Sequence, residues 1–313
     1  MPITIQPLRR FGLQAVVCTQ YESRIRHHMK AHEMVAKVRT LPSVTPAALK
    51  LLALLGQPSA INDEIVELVR LDTVLTAKLL RACNSPALGL HEPVSSVDQA
   101  VLLLGHNEIQ RMVTTLAVHG ALSVRLPGYD TLVNDLWQHS LLTAAAAESI
   151  VSHSADGSDT SAAFTVGLLH DIGKLIVGQF LTTESRAAVH RLLLEGFTTA
   201  EAERGVFDTD HAEVGACLLY MWRLPARTIE AVANHHRPVL DPPRFSAVAY
   251  VANCVAHAAE GGPGSEAYRL PANAHALKCL NLEAQEIESL GTTARTASDR
   301  FAQLVAATNK VPF

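Results

Sequence analysis

The sequence predicts an all-α protein, an N-terminal helical bundle packed on a second helical core. Three observations carry this. Alanine and leucine are abundant, aromatic residues make up only 5% of the chain, and β-branched alternation is rare. Apolar residues recur at three- and four-residue spacing in successive segments. Short stops of Pro, Gly, Asn and Ser separate those segments.

Taken in order, residues 1–34 start with a β-like Ile3-Thr4-Ile5 and end in a basic segment carrying Arg24, Arg26, His27, His28, Lys30 and His32. They read as an extension that is packed on the main body or partly mobile. A helix is expected to about Leu55, with Thr45 as N-cap and Pro46 at the first helical position. Asn62 or Asp63 caps the next, with Ile65, Leu68, Val69 and Asp72 on one face. Thr73–Asn84 follows, stopped by Asn84-Ser85-Pro86. Ser96–Leu104 ends at Gly105, and the apolar stripe of Glu108–Leu122 reads as core. These short helices form the lobe 35–128. A second lobe, 129–260, holds a long helix Leu132–Ser152 and a very apolar helix Ala162–Phe180. Helices Thr198–Gly205, His211–Trp222, Pro225–His236 and Ser246–Ala259 complete it. Gly261-Gly262-Pro263-Gly264-Ser265 is linker-like. Helices near Asn273–Leu280 and Leu282–Ala307 close the segment 261–313.

Composition narrows the function. The chain has 313 residues, 26 Lys+Arg against 30 Asp+Glu, and a formal charge of −4. Affinity for a phosphate backbone scales with clustered Lys and Arg, so nucleic acid is not the expected partner. The five cysteines are widely spaced with no C-x-x-C pair, which argues against a disulfide or zinc-ribbon framework and fits a reducing cytoplasm. Ala162–Leu181 is the best candidate span, but His170, Asp171 and Lys174 in its middle oppose a bilayer. A soluble cytoplasmic protein without a membrane segment is expected.

Histidines carry the functional signal. The pair His170-Asp171 sits within an otherwise apolar segment, where a buried carboxylate needs a partner or a cation. His139 lies on the preceding long helix, His211 opens a helix, and His235-His236 closes the next. Imidazole and carboxylate together suit divalent first-row metals, and bundles build such sites from facing helices. The other histidines, His190 and His257 among them, read as hydrogen-bonded core or surface residues.

At these residues the chain resembles the HD superfamily of metal-dependent phosphohydrolases, whose H…HD pattern His139 and His170-Asp171 match. Leu41-Pro42, Asp72–Ser85 and Ser96–Gly105 are similar to the N-terminal half of the HDOD family, the HD-related output domain of bacterial signalling proteins. The resemblance implies an N-terminal helical lobe on an HD-domain-like core. It is similar to HD-GYP phosphodiesterases at His139, His170, Asp171, Lys174, His211, His235 and His236. It implies one or two divalent ions (iron, manganese, nickel or zinc) on the histidines and Asp171, with Asp171 bridging and Lys174 neutralising phosphoryl charge. Asp135, one turn before His139, is a possible extra ligand. Two departures stand out. Asn253 occupies the place of the superfamily's last Asp ligand, and no Gly-Tyr-Pro follows His235-His236.

Two functions follow from the resemblance: a metal-dependent phosphohydrolase acting on a phosphorylated small molecule or nucleotide, or an inactive output module that binds a signalling protein or nucleotide.

Overall fold

The computed structural model describes residues 30–38, 46–55, 62–90, 92–129, 134–153, 160–237, 242–260 and 273–309. Every element among them is helical. The first elements are α1 (Ala31–Lys37), α2 (Pro46–Leu55), α3 (Asn62–Leu71), α4 (Thr73–Cys83), α5 (Val97–Leu104) and α6 (His106–Leu122). A 3₁₀ turn at Pro127–Tyr129 leads to α7 (Asp135–Ser152), α8 (Thr160–Leu169), α9 (Lys174–Phe180), α10 (Thr183–Leu194) and α11 (Thr199–Phe207). Then come α12 (His211–Met221), α13 (Ala226–Asn234), α14 (Arg244–Glu260), α15 (Ala274–Cys279) and α16 (Glu286–Asn309).

Local chemistry sets these boundaries. Pro46 opens α2 as its fixed φ favours; its expected cap, Thr45, lies outside the described residues. Asp72 does not extend the apolar face of α3. Its carboxylate instead accepts from the Val74 and Leu75 backbone N–H at 3.1 and 3.0 Å and caps α4, because a short acidic side chain satisfies orphan donors at a helix start. Ser96 caps α5 through the Gln99 N–H, and Gly105 ends it at φ 78°, a left-handed conformation that favours glycine. In α6, Ile109, Met112, Val113 and Leu116 are buried, as the apolar stripe implied. The sequence pattern did not reveal α10. Only Ser185 and Val189 on it are buried, so its apolar stripe is too narrow to stand out.

The largest correction concerns the apolar segment. It is not one helix from Ala162 to Phe180. It breaks at Leu169, and Lys174 starts a separate helix. Across the break the backbone tightens to three-residue hydrogen bonds, Ile172 N–H to Leu169 O, Lys174 N–H to Asp171 O and Leu175 N–H to Ile172 O, a pattern that marks functional turns. The segment is apolar because it is interior: Phe164, Val166, Leu168, Ile172 and Ile176 are fully buried.

Small residues bring the backbones together. A Cβ on Gly167 would lie 2.6 Å from Ala144 Cα, so α8 crosses α7 in direct backbone contact along the buried Ala144–Ala147 run. A Cβ on Gly173 would overlap the His211 carbonyl oxygen and stand 2.6 Å from Gly215 N. The turn after α8 therefore rests on the start of α12.

Outside this centre, Met34 of α1 is fully buried, and α1 packs on α12 and α9. The long α16 packs on α7 and α14 and reaches α4 and α6. Arg300 of α16 donates to Glu108 at 2.8 Å, Arg111 pairs with the same carboxylate at 2.8 Å, and Arg111 also pairs with Glu148 of α7. One apolar core runs from Met34 through Phe164 to Val305, and a second packs α14 on α15 and α16.

Gly173→Ala should lower the thermal unfolding midpoint by about 5 °C or more, because overpacking against backbone costs roughly 1–3 kcal/mol or more. Gly120→Ala, where a Cβ meets open space in α6, should be neutral or slightly stabilising. Equal midpoints for the two variants would contradict the close approach.

Candidate metal centre

Helix ends assemble the site. His170 follows the last residue of α8, and its Nδ1–H donates to the Gly167 carbonyl at 2.7 Å. His235 caps the C-terminus of α13, and its Nδ1–H donates to the Val232 carbonyl at 2.7 Å. Both carbonyls are released by the ending helix, and each bond leaves Nε2 as the lone-pair nitrogen facing inward. His211 is the first residue of α12, where Asp210 accepts from Glu213 N–H at 2.9 Å and pairs with Arg204. Its Nδ1–H donates to Glu203 at 2.7 Å, and the same oxygen accepts the His211 backbone N–H at 2.7 Å. Glu203 in turn accepts from the Tyr129 hydroxyl at 2.6 Å.

Asp171 stands at the centre, 1% exposed. Its Oδ1 faces His211 Nε2 at 3.1 Å and His235 Nε2 at 3.6 Å. Its Oδ2 faces His170 Nε2 at 3.4 Å, His139 Nε2 at 3.7 Å and Lys174 Nζ at 2.5 Å. His236 Nε2 lies 2.8 Å from His211 Nε2, and His170 Nε2 lies 3.2 Å from His139 Nε2. His139 also meets Asn253 Oδ1 at 3.0 Å through Nε2 and both Glu260 oxygens at 3.0 and 3.1 Å through Nδ1.

The electrostatics follow from burial. Burial opposes the Asp171 charge, but His170 and Lys174 hold its carboxyl well below the usual range. Burial drives the His170 imidazole down to about 4, and burial likewise lowers His235 and His236. His211 goes the other way. Burial opposes its charge, yet Glu203 and Asp171 raise it to about 9.

The donor chemistry fits a cation. Asp171 Oδ1 and His235 Nε2 are buried with no hydrogen-bond partner, and orphaned polar atoms of this kind are costly unless something satisfies them. Asp171, His211, His235 and His236 bring one donor atom each within 4.8 Å of one another, as do His139, His170 and Asp171. A third group, His139, His257 and Glu260, meets the same condition. The C-termini of α8 and α13 add partial negative charge. Five of the candidate ligands read from the sequence, His139, His170, His211, His235 and His236, thus gather around the sixth, Asp171. Lys174 joins them as the first residue of α9, while His170 lies in the turn before that helix. Asp135 belongs to none of these groups and sits on the wall of the adjoining cavity. Asn253 is buried against His139 and contributes an amide oxygen.

That cavity, about 550 Å³, is lined by His139, Asp171, Lys174, Arg186, His257 and Glu260, with Leu136, Val189 and Leu193 as an apolar wall. Sequence reasoning missed Glu203, His257 and Glu260. The last two follow Asn253 at four- and seven-residue spacing on α14, a helical periodicity that the sequence does display. Nothing local marks Glu203, whose partner lies across two helix ends.

The profile of the HDOD domain matches residues 41–238. The chain belongs to the HDOD family. This places α2–α6 and the Asp171 cluster within one recognised domain. Comparison with curated protein sequences gives no match. Among solved structures, an HDOD domain protein of unknown function from Geobacter sulfurreducens is 23% identical, with a TM-score of 0.64, covering 90% of this chain and 96% of that one. A candidate phosphohydrolase from Shewanella amazonensis is 22% identical with a TM-score of 0.63, covering 90% and 99%. A candidate signal transduction protein from Marinobacter aquaeolei is 20% identical with a TM-score of 0.70, covering 96% and 66%. At these identities the likeness establishes the shared fold. As an HDOD protein the chain carries the all-helical architecture expected of it. The apolar stretch Thr160–Phe180, long and apolar enough to cross a membrane, is mostly buried in that architecture.

The opposed histidine shifts predict a stability optimum for metal-free protein. As pH falls from 6.5 towards 4, the unfolded chain binds a proton that native His170 refuses, so stability falls by roughly 3 kcal/mol for that group alone. As pH rises from 6.5 through about 9, native His211 loses the proton that stabilised it, so stability falls again. Urea unfolding in EDTA should therefore peak near pH 6.5, and a rise continuing from pH 6.5 to 9 would contradict the His211 assignment.

Proposed function

We propose that this HDOD protein is a signal-transduction component whose Asp171 centre holds divalent metal and hydrolyses a phosphoester. The observation that supports it is the pair of orphaned donor atoms, Asp171 Oδ1 and His235 Nε2, facing each other on the buried side of a cavity lined by Lys174 and Arg186. His211, His235, His236 and Asp171 would hold one ion, with His139 and His170 towards the other carboxylate oxygen. Metal bound there supplies an acidified water and polarises a phosphoryl oxygen. The protein's own groups do the rest. Glu203 and the Val232 carbonyl hold His211 and His235 in the tautomer that presents Nε2. Lys174, paired with Asp171, offers a cation to charge developing on phosphoryl oxygens. Arg186 adds a second cation for a phosphorylated small molecule or nucleotide, and the wall of Leu136, Val189 and Leu193 excludes water from its apolar part.

A second reading has its own observation. Asn253 meets His139 where a carboxylate would complete the ligand set, and a neutral amide is a weaker ligand and cannot act as a base. On that reading the site is a structural or sensory relic, and the protein works by binding a signalling protein or a nucleotide.

Turnover of bis-p-nitrophenyl phosphate with added manganese separates the two. The phosphohydrolase reading expects hydrolysis that Lys174→Ala lowers about 100-fold and Asn253→Asp raises. Full metal loading with no turnover in wild type and in Asn253→Asp would leave only the binding module.

A further inference from the structure

We propose that the chain has an outer cation site, made by His139 Nδ1, His257 and Glu260 at the mouth of the cavity, and that a second divalent ion binds there rather than between His139, His170 and Asp171. The inference rests on the metal-dependent reading above and locates its second ion.

The inner position is already compensated. Lys174 Nζ lies 2.5 Å from Asp171 Oδ2, so that oxygen's charge is matched by an ammonium. Asn253 Oδ1 lies 3.0 Å from His139 Nε2. An amide oxygen only accepts, so the contact is made by Nε2–H. This puts the lone pair of a neutral His139 on Nδ1. That nitrogen faces both Glu260 oxygens at 3.0 and 3.1 Å. Two acceptors at this distance repel unless a proton or a cation lies between them, and a metal ion can take the proton's place.

The geometry accommodates an ion. Neighbouring ligands at bond lengths of about 2.1 Å stand roughly 3.0–3.4 Å apart. His139 Nδ1 to Glu260 matches this, and His257 Nδ1 lies 3.7 Å from Glu260 Oε2. The His139 and His257 rings are 4.5 Å apart at 34°. All three donors fall within 4.8 Å of one another. Asn253, His257 and Glu260 follow one another along a single stripe of α14, so one helix supplies the contact that fixes His139 and the two ligands beside it. The His257 and Glu260 side chains are 28% and 35% exposed. Water can therefore complete the shell, and the ion should be held less tightly than one at the enclosed Asp171 centre. The charge balance agrees: Glu260 brings a negative charge to two imidazoles, whereas Asp171 has Lys174.

The test is a manganese titration of full-length protein stripped with EDTA, with circular dichroism of each variant. Wild type should bind a tight and a weaker equivalent. Glu260→Gln and His257→Gln, both at partly exposed positions, should each weaken the second equivalent at least tenfold and leave the first unchanged. His170→Ala should leave the second in place, and Asp171→Asn should remove only the first. The outer site is overturned if Glu260→Gln and His257→Gln keep both equivalents at wild-type affinity, or if Asp171→Asn or His170→Ala removes the weaker one. A wild type with only the weaker equivalent, lost in Glu260→Gln, would sustain the outer site while removing the Asp171 reading.

Discussion

A single buried carboxylate organises this structure. Asp171 lies in the apolar centre of the molecule, within reach of four imidazoles and one ammonium. An ionised carboxylate there would be prohibitively unfavourable alone. Its surroundings hold it ionised, and everything nearby is arranged around that charge. Glycine at position 173 lets α12 bring His211 against it. Helix ends at Leu169 and Asn234 bring His170 and His235.

The ring orientations have a common origin. A helix that stops leaves carbonyls without partners. His170 and His235 each take the carbonyl three residues back, and this one bond both satisfies the backbone and aims Nε2 at Asp171. His211 cannot use that device, because it begins a helix. Glu203, itself held by Tyr129, takes the place of the carbonyl. The result is a set of inward-facing ring nitrogens around one charge, the donor arrangement of a cation site. The apolar interior adds rigidity: α7 and α8 touch backbone to backbone, so His139 and His170 have little freedom to separate.

On the open side the same centre changes character. The Asp171 Oδ1 face is enclosed and lined by histidines. The Oδ2 face carries Lys174 and looks into a cavity with Arg186, His257 and Glu260. An asymmetric site of this kind suits chemistry in which one face binds and the other meets an anionic ligand. Asn253, buried beside that face, meets His139 Nε2 at 3.0 Å.

Much of this was legible in the sequence. Helical periodicity and the Pro and Gly stops set most elements, because those signals act over a few residues. The histidine set was legible because charged and polar groups in apolar segments demand a reason. The break after Leu169 was not, since an apolar run reads as continuous helix and the turn exists to seat Gly173 on His211 and Gly215. The pairing of Glu260 with His139 was also out of reach, because a contact across 121 residues leaves no local trace, and so was Glu203, whose contact with His211 depends on how two successive helix ends meet. The chain itself determined which residues could bind a cation and on which helices they lie. Only the packed structure decided which nitrogen of each ring faces inward, because that choice belongs to the partner the opposite nitrogen finds.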